Sequence, residues 1–114
     1  MTELPLSAFI EADVYLLAPA EGGRRSAIAS GYRCNCLLDE RDREDGTSYD
    51  ATFLLLDTDR LEPGHTARAR IRPHFPDSWT RVEIGTVVEM CEGRRAVGRA
   101  TVVDLFPDSI GFST

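Results

Sequence analysis

Phe9-Ile10-Glu11-Ala12-Asp13-Val14-Tyr15-Leu16-Leu17 sets its acids at alternate positions among apolar residues. A period of two belongs to a β-strand, whose successive side chains point to opposite faces. Pro19 and Glu21-Gly22-Gly23 follow as a loop, because glycine takes the positive φ that a tight reversal needs. Arg24 to Ser30 reads as a short strand or strand-like return, and Gly31-Tyr32 opens a further strand through Leu38. Asp39 to Thr47 shows no apolar periodicity and ends in the turn signal Asp45-Gly46, so it reads as a loop.

The second half repeats the pattern. Tyr49 to Leu56 is rich in aromatic and aliphatic residues, with a continuous apolar run at Phe53 to Leu56. Leu61-Glu62-Pro63-Gly64 is a turn. In His65 to Arg72, Ala67, Ala69 and Ile71 face one way, and Arg68, Arg70 and Arg72 the other. Pro73 and Pro76 mark a loop or edge. Thr80 to Cys91 is a β-rich run, Glu92-Gly93-Arg94 a hairpin turn, and Ala96 to Phe106 the last strand. Short strands with turns every dozen or so residues argue an all-β barrel or sandwich. Closure into a barrel removes the unpaired edges. Residues 9–106 form this domain, 1–8 a loose lead-in, and 107–114 a tail carrying Ile110 and Phe112.

Composition narrows the function classes. The chain has 114 residues, enough for one core, and 42% of them are apolar, which argues against disorder. No run of 18 apolar residues exists, and the N-terminus lacks a basic region and a long apolar stretch. A cytoplasmic address with no membrane partner is the expectation. The formal net charge is −6, and every Lys/Arg position is Arg. Asp39 to Asp50 holds six acids against two arginines, leaving −2 on the remainder. Nucleic-acid binders need a positive footprint, which this balance disfavours.

Five blocks recur in order: the opening strand, Glu21-Gly22-Gly23-Arg24-Arg25, Ser30-Gly31-Tyr32-Arg33, Leu61-Glu62-Pro63-Gly64, and Glu92-Gly93-Arg94-Arg95-Ala96-Val97-Gly98. Their order and spacing resemble the C-terminal β-barrel domain, domain 3, of the translation elongation factor Tu/1A group over residues 7–106. The resemblance implies a closed, six-stranded antiparallel barrel. In that family the barrel packs against a GTPase domain and the T-stem of aminoacyl-tRNA. This chain has no lysine and no phosphate-cradling Gly-rich loop, so no nucleotide is expected. Where the family has a short Thr-rich stretch near the RNA backbone, this chain has Leu38-Asp39-Glu40-Arg41-Asp42-Arg43-Glu44-Asp45-Gly46. A carboxylate near a solvated phosphate opposes binding by about 1 kcal/mol. The departure weighs against tRNA binding of the family kind.

Four groups of residues are candidates for contact with a partner. Arg24, Arg25, Arg94, Arg95 and Arg99 lie on turns and strands that the family places together, and Arg33 opens the second long strand. They form either an anion-binding patch or solvated arginines paired with Glu21, Glu92 and neighbouring acids. Asp39, Glu40, Asp42, Glu44 and Asp45 form either a solvated insertion or an acidic docking surface. Trp79, with Phe75 and Pro76 nearby, is either an interface anchor or a barrel-end plug. The arginine row 68, 70 and 72 is either a ridge or the wet side of a strand.

No catalytic residue, cofactor site or metal site stands out. Cys34-x-Cys36 lies on one strand face, too spread for an easy disulfide, and Cys36 reads as a buried thiol. With Cys91, His65 and His74 in reserve, zinc is not expected. The expected function is non-catalytic binding of a protein partner, as an elongation-factor mimic or immunity-type protein. A translation-related tRNA or RNA-binding domain is the alternative, and a small enzyme the second.

Overall fold

The computed structural model describes residues 8–106. Eight strands run in the order β1 (Phe9–Leu16), β2 (Ile28–Ala29), β3 (Tyr32–Leu37), β4 (Tyr49–Leu55), β5 (Arg60–Leu61), β6 (Thr66–Pro73), β7 (Val87–Glu92) and β8 (Arg95–Phe106). Six of them close into a barrel in the ring order β1-β6-β4-β3-β7-β8, and every neighbouring pair is antiparallel. The six-stranded closed antiparallel barrel is therefore present. β2 and β5 pair separately, Ile28 with Leu61, and bury both side chains in the core.

Alternation sets the inside of the barrel. Ile10, Ala12, Val14 and Leu16 of β1 point inward, and Ala67, Ala69 and Ile71 of β6 join them. Phe53, Met90, Val97 and Val102 fill the space between strands, and Cys34 and Cys36 point the same way as buried thiols. A Cys34 contact, together with burial, pushes the Cys36 thiol well above its ordinary pKa. Burying a large aliphatic side chain contributes about 1.5–3 kcal/mol. This row of fully covered side chains is thus the main source of cohesion.

The turns follow their residues. Gly93 takes φ 64° and Arg94 no positive φ, so β7 and β8 join through a two-residue turn with glycine first. That is type II′ chemistry, whose twist matches the flanking strands. One residue of β8, Val97, bulges opposite Met90 and Cys91.

Four expectations change. Asp39 to Asp45 is no plain loop: Glu40–Asp45 forms a helix, α1. Its signal lies in the ends, not in apolar periodicity. The Asp39 side chain caps the first turn by accepting from the Asp42 N–H at 3.1 Å, and Gly46 closes the last at φ 72°. Of Arg24 to Ser30, only Ile28 and Ala29 pair. The strand expected from Thr80 begins at Val87, after a 3-10 turn at Pro76–Trp79. Ala8, placed in the lead-in, is fully buried. Residues 1–7 and the tail from Pro107, with Ile110 and Phe112, lie outside the described residues. Among the described residues, no helix is long and apolar enough to cross a membrane.

Candidate interaction surface

The loop after β1 folds back onto the β7–β8 hairpin. Gly23 permits this: a Cβ there would stand 2.1 Å from the Leu17 carbonyl oxygen. Arg95 donates to the carbonyls of Gly22 at 3.2 Å and Gly23 at 3.0 Å, tying hairpin to loop. Arg24 pairs with Glu92 and lies over the Tyr32 ring, 5.3 Å from its centre. The Tyr32 hydroxyl donates to the same Glu92 oxygen at 2.6 Å. Burial alone raises the Glu92 pKa, but donation from Tyr32 and Arg24 outweighs it and holds the carboxyl below its ordinary range. Burial, with the Glu92 contact, pushes the Tyr32 phenol up.

Arg24 and Arg95 thus converge, as their positions on neighbouring turns suggested, but inside a closed network. Arg99 lies 4.8 Å over the Tyr15 ring. The Tyr15 hydroxyl donates to Glu21 at 2.5 Å, which lowers the Glu21 carboxyl. Arg25 and Arg94 are exposed, with no ion pair or side-chain hydrogen bond among the described residues.

The acidic helix divides in the same way. Asp42 is 3% exposed, which corrects its reading as a docking residue. It accepts from the Leu38 N–H at 2.7 Å, and both its oxygens accept from Arg81 at 2.7 Å. Arg81 also pairs with Asp39 at 3.4 Å and covers the Tyr49 ring. Arg43 reaches across to Glu89 on β7. Glu40, Glu44 and Asp45 remain exposed at the surface.

Two grooves flank the Arg43–Glu89 pair. One, of about 540 Å³, runs from the end of α1 to the hairpin and includes Asp45, Cys91 and Arg94 in its lining. The other, of about 300 Å³, crosses β7 and β8. Leu17, Leu37, Val87 and Ala96 line it, with Glu40 and Arg99 among its charged side chains. Leu37 and Arg43 line both grooves. Val87 is 52% exposed, although it sits within a barrel strand.

Trp79 is fully buried, which corrects its reading as an exposed anchor; its indole N–H has no hydrogen-bond partner among the described residues. Phe75, four residues earlier, is the exposed aromatic, at 67%. Arg33 lies on β3, two strands round the ring from β8, with Asp50 at 3.8 Å and His74 at 3.5 Å. Arg68 is engaged by Asp13 at 2.7 Å and Glu11 at 3.3 Å. His65 is exposed next to its turn. Among the described residues, no three His, Cys, Asp or Glu side chains are grouped to hold a metal ion.

No protein-family model matches this chain, and no curated protein matches it.

Sequence reasoning missed Val87 and Arg81. The first had a signal: in Val87-Val88 one valine must face outward on a strand of period two. The partnership of Arg81 with Asp42 had none, since 39 residues separate them.

Proposed function

We propose that the chain is a non-catalytic binding module, a counterpart of the elongation factor Tu C-terminal barrel, that engages a protein partner. The single observation carrying this reading is the groove across β7 and β8. Its lining includes the apolar Leu17, Leu37, Val87 and Ala96, and charges of both signs stand in Glu40, Arg43 and Arg99. Apolar area with a polar rim is how protein interfaces are built. The barrel interior is filled by side chains, so the shaped and chemically mixed surface lies outside.

The partner surface that fits presents an apolar side chain to Val87 and a basic one to Glu40. The blocks that resemble the elongation-factor domain support the counterpart reading. The Phe9 block is β1, the Gly22-Gly23 and Gly93 blocks are its docked turns, and Pro63-Gly64 precedes β6.

Affinity capture with the wild-type chain and with Val87→Glu tests this. A partner held by the wild type and lost by a variant of unchanged melting temperature is expected. Identical captured sets for the two chains overturn the groove as the contact surface.

A further inference from the structure

The geometry points to an oxyanion site on the outer face of β3, β4 and β6, where Arg33, Thr52, Arg72 and His74 take a phosphate monoester. β4 and β8 are opposite members of the six-strand ring, so this site is separate from the groove. Its failure would leave the groove reading untouched, and the reverse holds.

The ladder register builds it. Arg33 stands opposite Thr52, and Thr52 opposite Arg72, one residue from each of three adjacent strands. Opposed side chains have Cβ atoms about 5 Å apart, so two guanidinium groups flank a single hydroxyl. His74 sits against that hydroxyl. Its Nε2 is 2.7 Å from Thr52 Oγ1, and its Nδ1 is 3.5 Å from an Arg33 nitrogen. Arginine only donates, so the neutral ring that fits both contacts accepts at Nδ1 and donates from Nε2–H. The Thr52 O–H is then left to donate to an incoming oxygen.

The charges are available. The nearest carboxylate to Arg33 is Asp50, at 3.8 Å, beyond hydrogen-bond length. Arg72 is exposed and has no ion pair among the described residues. Arg68, on the same strand face, is held by two acids. Arg33 and Arg72 thus share one loosely placed acid, Asp50, in a chain with 19 acids and 13 arginines. Arginine forks match phosphate oxygens two at a time. Two forks and a hydroxyl on adjacent ladder positions offer more donors than the two oxygens of a carboxylate can accept. A monoester supplies three. Asp50 opposes the anion and limits its affinity.

Titration of the full chain with inorganic phosphate, a phosphoserine peptide and a single-stranded RNA tests the site by nitrogen–proton NMR. Saturable shifts of the Arg33 and Arg72 side-chain signals and the Thr52 amide are expected with the first two. Tighter binding of the peptide assigns the source to a phosphorylated protein; tighter binding of inorganic phosphate assigns it to a small molecule. Arg72→Ala is expected to weaken binding about tenfold, the loss of one charge-assisted hydrogen bond, while the melting temperature holds. Asp50→Asn is expected to strengthen it. The site is overturned if phosphate at millimolar concentration leaves these signals in place, if Arg33→Ala with Arg72→Ala binds as the wild type does, or if only the RNA binds.

Discussion

The two sides of the barrel use the same residue type in opposite ways. Around the β7–β8 hairpin and α1, four arginines are structural, while Arg94 is exposed with no ion pair among the described residues. Arg24 holds Glu92, Arg95 holds two loop carbonyls, Arg43 holds Glu89, and Arg81 holds a buried carboxylate. On β3, β4 and β6, Arg33 and Arg72 have no carboxylate within hydrogen-bond length among the described residues. The difference is one of the partners that the fold brings close, not of local sequence. An arginine that meets an acid at hydrogen-bond distance becomes part of the fold, while one placed beside a threonine stays available to a ligand. Stability measurements can separate the two kinds.

The largest effect is expected at Arg81. Arg81→Met leaves Asp42 buried without its cation and is expected to cost about 3 kcal/mol in urea denaturation. Asp42→Asn in the same chain is expected to recover part of the loss. An unchanged midpoint for Arg81→Met would show that the structural side does not depend on its arginines.

Glu92 comes next. Glu92→Gln is expected to cost about 1–2 kcal/mol at neutral pH, because Tyr32 and Arg24 both lose a charged acceptor. The folded carboxyl lies below its ordinary value of 4.5, so its stabilising share is complete above that pH. It fades as pH falls through the lowered folded value. The wild type and Glu92→Gln are therefore expected to converge in acid, and a constant gap between their melting curves down to pH 3 counts against the linkage.

Arg68 lies on the wet face of β6 but has two acid partners. Arg68→Ala is expected to lower the melting temperature by a small amount that salt reduces. The smallest effect is expected at Arg72, directly along the same strand. Arg72→Ala is expected to change stability by less than about 0.5 kcal/mol, with no salt dependence beyond that of the wild type. If Arg68 and Arg72 gave equal losses, the contrast between engaged and available arginines would collapse.

The barrel was legible because its strands carry a period of two and its turns carry glycine and proline where φ demands them. The alternation of Ala67, Ala69 and Ile71 against three arginines placed β6 correctly down to its inward face. The helix was missed because six residues give fewer than two turns, too few for an apolar stripe to appear. Its capping residues were visible, but Gly46 was read as turn chemistry and Asp39 as part of an acidic surface. Trp79 was placed on the right loop. Its burial depended on how the β6–β7 connection turns inward, which no local pattern states.

The sequence by itself determined a strand-rich chain with one apolar face per strand, the positions of its turns, and an acidic segment after β3. Those properties are local: they follow from side-chain alternation and backbone φ. Only the tertiary structure decided which charges are engaged, because Asp42 meets Arg81, and Arg24 meets Glu92, across 39 and 68 residues. The placement of α1 and of the loops after β1 and β6 sets those meetings, and that placement follows from how the whole ring closes.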